Sequence, residues 1–301
     1  MTRRRIILLV MGLGLIAVAV GVAVIDPNAR VQGWVNGEPF FQGRSATAWR
    51  RDLRLPDETA PAAAQSSLTA GGAEALPVCG WLIEHAAEAD VRRRAVDAIK
   101  GMKKEDAVAA GPQLVVALAD SDSHVREVAI RVIKEHTPDA PGAVGKLADQ
   151  FPDREAILAV AAYGARGGDA VPKLIPLLTH ESADIRRQTA KALGKIGVAA
   201  KSAIPDLIKT METDKEAGVR EQSAEAFGEI GPTAVEAVPS LIKALKDPDK
   251  GVRKDAARSL GQIGPGAKDA LPAVKALASD PDSRVREYAA KAARRIDPSA
   301  K

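Results

Sequence analysis

Apolar positions recur in this chain with a period too long for one helix or strand. Residues 170–197 hold two apolar stripes, each with a spacing of three or four residues, on either side of a polar turn. Similar stretches begin at Ala203, Ala237 and Ala270. Two landmarks within them, a proline near the start and an arginine after an aliphatic residue, repeat every 33 or 34 residues. The arginines are Arg186, Arg220, Arg253 and Arg286. Two landmarks with one period indicate tandem repeats that stack into a solenoid.

Each repeat is predicted to be a pair of helices. In residues 237–264, Leu241 and Leu245 belong to a first helical stripe, and Pro239 lies in its first turn, where the missing N–H costs nothing. The dipeptide Asp247-Pro248 ends the first helix and starts the second. The second stripe continues to Gly264, which is typical of a helix C-terminus.

The same pattern extends towards the N-terminus in less regular form. Residues 75–100 and 111–135 form clear repeats, with landmark arginines Arg92 and Arg126. Arg126 and Arg186 are 60 positions apart, which is too far for one repeat and too close for two. The segment between them therefore contains a degenerate repeat. With an irregular leading pair near residues 45–70, the pattern predicts about eight repeats, of which the first and fourth are irregular. The predicted fold is an all-α, right-handed α-solenoid over residues 44–301.

The N-terminus predicts a membrane segment. Residues 1–5 form a basic stub, and residues 6–25 are twenty uncharged, mostly apolar residues, long enough at about 1.5 Å per residue to span a bilayer as a helix. The positive charge before this run predicts a cytoplasmic N-terminus and a single-pass membrane protein whose bulk is extracytoplasmic, in the periplasm. A cleaved signal peptide is the alternative, and it places the bulk on the same side. Residues 26–43 are predicted to be a linker, in which Trp34 either packs on the first helix or lies at the membrane interface.

Composition narrows the function classes. Without residues 1–29, the chain keeps 40 basic and 38 acidic residues, too even a balance for a nucleic-acid-binding stripe. Aromatic residues are 3% of the chain, so the core is predicted to be closely packed aliphatic residues. Cys79 is the single cysteine and is predicted to be a small buried hydrophobe.

The motif A-x-P-x-L-I…D-P-D…V-R-x-x-A-A-x-x-L-G-x-I-G, nearly unbroken in residues 237–264, resembles HEAT repeats in the short form of phycobilisome-lyase-type proteins. The resemblance covers about residues 75–296. It implies that the second helices line a concave face, and that the recurrent arginines form a ladder to turn aspartates of neighbouring repeats. The ladder residues would be Arg92, Arg126, Arg186, Arg220, Arg253 and Arg286. Their acceptors would be Asp184, Asp247 or Asp249, and Asp280 or Asp282.

The sequence shows no recognisable catalytic motif. Deoxyhypusine hydroxylases, which are HEAT-like enzymes, hold two irons with several His-Glu dipeptides, whereas this chain has His180-Glu181 alone. We therefore predict a non-catalytic protein-interaction scaffold with no cofactor and no metal, monomeric, that binds a protein or peptide on its concave face. The alternative is a lyase-like accessory factor that binds a chromophore or cofactor.

The charge pattern of the inner face breaks at one repeat, and this break indicates a candidate partner site. The residue after each landmark arginine is charged, and its sign mostly alternates between repeats. The irregular fourth repeat instead places apolar residues nearby: Val128, Ala156, Ala159 and Tyr163. An apolar strip on a charged face predicts a partner contact. The alternative is that this repeat is bent and buries the four residues itself.

Overall fold

The computed structural model describes residues 29–136 and 140–299, and these residues are mostly helical. The predicted all-α class with repeated helix pairs is confirmed. The chain divides into two compact units, one ending at Pro141 and the other beginning at Gly142. The expected membrane segment, residues 6–25, lies outside the described residues. Within residues 29–136 and 140–299, no helix combines the length and the apolar character needed to cross a bilayer.

The first unit begins with a short helix, a two-stranded antiparallel ribbon and then helix pairs. Phe40 pairs with Ser45 and Phe41 with Arg44 in the ribbon. The elements are α1 (Arg30–Val35), β1 (Phe40–Phe41), β2 (Arg44–Ser45), α2 (Ala46–Leu53), α3 (Thr59–Gly71), α4 (Leu76–His85), α5 (Ala89–Lys100), α6 (Lys104–Ala109), α7 (Gly111–Ala117) and α8 (Ser123–His136). Helices α2, α4 and α7 pack in one row and α3, α5 and α8 in a second, as expected for stacked pairs.

Part of the expected linker, residues 26–43, is ordered structure. Its residues supply α1 and β1, and Phe41 is buried with its ring 5.6 Å from that of Trp49. Trp49 and Leu53 belong to the buried face of α2. The linker assignment was too broad because a helix of six residues is too short to show an apolar period.

The second unit contains five helix pairs. The first helix of each pair is the shorter one. The elements are α9 (Ala143–Ala148), α10 (Arg154–Ala162), α11 (Val171–Leu174), α12 (Ala183–Ile196), α13 (Ile204–Thr213), α14 (Ala217–Ile230), α15 (Val238–Ala244), α16 (Lys250–Ile263), α17 (Leu271–Ala276) and α18 (Ser283–Ile296). Helices α10, α12, α14, α16 and α18 pack one against the next. Helix α11 gives way to a 3₁₀ segment, Ile175–Thr179, where Pro176 lacks the amide proton of an α-helical bond.

Short 3₁₀ helices join consecutive repeats of this unit, and the sequence pattern did not predict them. They are Gly164–Ala170, Gly197–Ala203, Gly231–Ala237 and Gly264–Ala270. Each begins with a glycine at positive φ, for example 75° at Gly264. Since this conformation strains residues with a Cβ, glycine is the residue that begins each connector and turns the chain away from the preceding second helix.

Small residues bring the second helices close together. A Cβ placed on Gly261 of α16 would lie 2.7 Å from the Cα of Ala292 in α18. A Cβ on Gly194 of α12 would lie 3.0 Å from the Cα of Ala226 in α14. The aliphatic, alanine-rich composition therefore serves close backbone packing, and the second helices form one continuous layer within this unit.

Candidate functional site: the charged groove of the second helices

An arginine in the second helix of most repeats reaches the turn of the next repeat. The Nε and Nη2 atoms of Arg220 donate to the two carboxylate oxygens of Asp247 at 2.9 and 3.0 Å. Its Nη1 donates to the carbonyls of Asp214 and Lys215, at 2.9 and 3.2 Å, in its own turn. The same bidentate contact joins Arg92 to Asp120, Arg186 to Asp214 and Arg253 to Asp280. One guanidinium thus fastens two consecutive repeats.

In the turns that carry two aspartates, the first aspartate accepts from the arginine and the second caps the following helix. Asp247 accepts from Arg220, whereas Asp249 accepts the backbone N–H groups of Gly251 and Val252. In the last repeat, Asp280 accepts from Arg253, and Asp282 caps α18. The geometry therefore selects Asp247 and Asp280 from the pairs of acceptors that the resemblance implied.

Asp184 does not accept from a ladder arginine. It accepts from Arg154 at 3.0 Å and from Arg187 at 2.9 Å, and Arg186 uses Asp214 instead. Asp184 follows Ser182 inside α12, so its side chain lies one turn beyond the acceptor position.

Two ladder arginines show the contacts to their own turns. Arg126 donates to the carbonyls of Asp120 and Ser121 at 2.8 and 2.9 Å. Arg286, in the last helix, donates to the carbonyls of Asp280 and Pro281 at 2.7 and 3.0 Å. All six arginines therefore tie the start of a second helix to the preceding turn.

The ladder shifts the pKa values of its members in opposite directions. The hydrogen bond from Arg253 holds the pKa of Asp280 below its usual value, against the effect of burial. Burial alone would raise the pKa of Asp247, but the bond from Arg220 and the N–H of Asp249 outweigh it, so this pKa is also lowered. The pKa of Arg220 is raised by its bond to Asp247. The pairs are charged at neutral pH, which strengthens their hydrogen bonds.

The four residues expected to bind a partner are buried. Ala156 and Ala159 have no exposed surface, Val128 is 2% exposed and Tyr163 is 6% exposed. The Tyr163 ring lies 5.1 Å from the guanidinium carbon of Arg166. Buried side chains offer no area to a partner, so the apolar strip is core and the expectation of a contact site is corrected. The short helices α9 and α10 enclose their apolar residues within the protein, which was the alternative interpretation.

A different surface offers an open site for a partner. It is a groove of about 320 Å³ across α14, α16 and α18. We call it the charged groove. Its lining comprises Glu221 and Glu225 of α14, Lys254, Asp255 and Arg258 of α16, and Arg284, Glu287 and Tyr288 of α18. Glu221, Lys254 and Glu287 occupy the same repeat position, directly after the landmark arginines. The groove therefore displays charges of alternating sign at the spacing of the helices.

Ion pairs between neighbouring helices hold the lining of the charged groove in place. Lys254 Nζ lies 3.1 Å from Glu221 and 3.4 Å from Asp255. Arg258 donates to Glu225 at 2.7 Å. The opposite charges that follow the landmark arginines Arg220 and Arg253 therefore meet as an ion pair between neighbouring repeats.

Asp255 is the unusual member of the groove because it is a carboxylate that is only 3% exposed. Burial raises its pKa to about 7, and the nearby Glu225 and Glu221 add to the rise, while Lys254 opposes it. At neutral pH the carboxyl therefore populates both its ionised form, which only accepts hydrogen bonds, and its protonated form, which can also donate one. Sequence reasoning missed Asp255 because its burial depends on the contact between three helices.

Other chemistry-bearing residues have structural surroundings. His180 accepts the N–H of Ser182 with its Nδ1 atom at 3.1 Å, which places the His180-Glu181 dipeptide in a turn. Burial raises the pKa of the Cys79 thiol to about 12, so this cysteine is a packed hydrophobe. No group of three or more His, Cys, Asp or Glu residues suited to a metal ion occurs among the residues that the structure describes.

Comparison with known proteins agrees with the helix-pair geometry. The family of HEAT repeats matches residues 148–228 and 204–294. This part of the chain carries HEAT repeats. The two overlapping matches fall in the second unit, which holds the charged groove, and they support a HEAT-repeat family for the protein. No curated protein sequence matches the chain.

Two solved structures resemble most of this chain in fold. An engineered protein of a structural genomics consortium matches with a TM-score of 0.56 and 23% identity, over 85% of this chain and 78% of its own. A chain from work on a phosphorylation switch that controls the interaction between cadherin and beta-catenin matches with a TM-score of 0.51 and 15% identity. That match covers 82% of this chain and 60% of the other. At these identities the likeness establishes the fold alone.

Proposed function

We propose that the protein is a membrane-tethered, extracytoplasmic scaffold that binds a protein or peptide in the charged groove. HEAT repeats suggest a protein-interaction scaffold, and a structural neighbour belongs to work on the interaction between cadherin and beta-catenin. The observation that carries the proposal is the groove itself, in which charged side chains from three helices and one aromatic ring converge. Residues of this kind, held by a rigid layer, suit a polar peptide ligand.

The spacing of the groove favours an extended peptide. Packed helices lie about 8–10 Å apart, and an extended chain advances about 3.3 Å per residue. A peptide that crosses α14, α16 and α18 therefore meets Glu221, Lys254 and Glu287 at intervals of about three residues. Its own charges should alternate with the opposite signs. Tyr288, which is half-buried beside Lys291 at 5.3 Å, supplies apolar contact at one end.

The tether and the location rest on the N-terminal sequence. Residues 3–5 are arginines, and residues 6–25 carry no charge, so we propose that this segment spans a membrane with the repeats outside the cytoplasm. Two reporter enzymes are fused after Lys301 in separate experiments. The reporter that requires an extracytoplasmic location should be active, and the reporter that requires the cytoplasm should be inactive. Activity of the cytoplasmic reporter would contradict the location and leave the groove proposal standing.

Site-specific cross-linking tests the groove in the full chain. A photoreactive amino acid replaces Tyr288 in one variant and Lys275, an exposed residue of the first helix α17 in the same repeat, in a matched control. We expect a covalent adduct to one protein from position 288 and none from position 275. The further substitution Arg284→Glu, which reverses an exposed charge of the groove, should suppress the adduct. Adducts of equal yield from both positions would contradict the proposal.

A further inference from the structure

The short helix α1 turns its apolar side chains away from the protein. Val31, Trp34 and Val35 follow the spacing i, i+3, i+4 and therefore share one face of the helix. They are 48%, 79% and 70% exposed. Single exposed apolar residues are common on protein surfaces, but three large ones on a single helical face mark a contact surface.

The outward orientation is built into the packing of α1. The helix meets the body of the first unit at Gly33, where an added Cβ would lie 2.4 Å from the Cβ of Ser45. Only a residue without a side chain fits at this contact, so the glycine side of α1 faces inward and the apolar side faces outward. Helices on soluble domains normally show the reverse arrangement.

A buried carboxylate fixes the chain directly after α1. Glu38, 6% exposed, accepts the backbone N–H of Thr47 at 2.9 Å and its hydroxyl at 2.7 Å. The Glu38 N–H in turn donates to the carbonyl of Gly33 at 2.8 Å. These bonds join α1 to the start of α2, so the exposed face belongs to an anchored helix.

The chain before α1 indicates what covers this face. The uncharged run of residues 6–25 ends at Ile25, six residues before Val31. Six residues of fully extended chain reach about 20 Å at most. If the run spans a bilayer, α1 must therefore lie close to the headgroup region, where tryptophan is enriched and where apolar helix faces insert.

We propose that Val31, Trp34 and Val35 dock on the surface of the lipid bilayer that residues 6–25 span. This inference rests on the proposed membrane tether and adds a second point of attachment. With attachment at both the span and α1, the first unit is held against the membrane instead of hanging from a free linker. The proposed binding partner of this helix face is the lipid interface and not a second copy of the chain.

Tryptophan quenching by lipid tests this docking in the full chain. The protein is reconstituted in phosphatidylcholine vesicles with and without bromine on the acyl chains, and bound protein is collected by flotation. The chain has three tryptophans, so brominated lipid should remove about one third of the emission of the wild-type protein. Trp34→Phe should abolish this loss. Trp81→Phe, which replaces a half-buried tryptophan stacked on His85, should retain it.

The outcomes separate the docking from the tether. Protein that floats with the vesicles but shows the same quenching with and without Trp34 overturns the docking and leaves the tether intact. Protein that does not float at all overturns the tether, and the docking fails with it. Quenching that depends on Trp34 in floated protein supports both.

Discussion

Arg220 should contribute to stability through the contact between two repeats, and its removal provides the sharpest test of the ladder. Arg220→Ala removes four hydrogen bonds and leaves the Asp247 carboxylate, whose side chain is 12% exposed, without its cation. A net charge-assisted hydrogen bond is worth about 1.5–3 kcal/mol, and bonds to one group do not add. Asp247 keeps one bond, from the N–H of Asp249 at 2.8 Å. We therefore expect a loss of about 2–3 kcal/mol in the free energy of unfolding.

The assay is a urea titration of the variant beside Arg294→Ala, which removes an exposed arginine of α18. The control should change the free energy of unfolding by less than about 0.5 kcal/mol. Glu225→Ala would be a poorer control, since Glu225 accepts a hydrogen bond from Arg258. Equal losses for Arg220→Ala and Arg294→Ala would refute the reasoning.

A double-mutant cycle isolates the pair itself. Asp247→Ala leaves Arg220 without its carboxylate, and the double variant leaves neither charge unmatched, so it should lose less than the sum of the two single variants. The lowered pKa of Asp247 adds a pH dependence. A depressed acid pKa stabilises the fold above the unfolded value near 3.8 and loses this effect as the pH falls through the folded pKa. The coupling should therefore be present at pH 7 and disappear in acid.

Three further predictions concern single residues. Gly261→Ala should lower the free energy of unfolding by about 1–3 kcal/mol in a denaturant titration, because the new methyl group meets the backbone of α18, whereas Gly145→Ala on α9, where the space is open, should change it by less than about 1 kcal/mol. Because burial raises the pKa of Asp255 to about 7, its carboxyl favours the folded state less as the pH rises, so Asp255→Asn should raise the melting temperature more at pH 8 than at pH 5. Tyr163→Ala should lower stability by about 3 kcal/mol, as for a large core side chain, and a melting curve equal to that of the wild type would contradict the burial.

Repetition made most of the fold predictable. The prolines and arginines that recur every 33 or 34 residues specify the helix pairs, and a glycine after most second helices specifies where each of those helices ends. The 3₁₀ connectors were missed because their glycine- and alanine-rich sequences carry no apolar period that would predict a helix. Helix α6 was missed because its six residues form less than two turns.

The candidate site was far less predictable than the fold. A repeat position indicates which residues of different helices are equivalent, but not how far each helix is rotated about its own axis. For Ala156 and Ala159 the expected inner-face positions point into the core of the irregular repeat. In the sequence Asp255 is one of several charged residues of α16, yet contact with α14 and α18 buries it. The sequence likewise does not tell which aspartate of a turn accepts from the arginine, because both residues of each pair are chemically equal acceptors. Only the geometry decides between them.

Binding of a partner peptide in the charged groove of α14, α16 and α18 can be tested by measuring an affinity. Once the cross-linked protein is identified, its dissociation constant should be measured by titration against the wild-type chain, Tyr288→Ala, Arg284→Glu and Lys275→Glu. We expect at least about ten-fold weaker binding for the two groove variants, equivalent to about 1.4 kcal/mol, with unchanged melting curves. Lys275→Glu, an equal charge reversal on the first helix, should bind like the wild type. Binding that is weakened equally by all three substitutions, or by none, would contradict peptide binding in the charged groove.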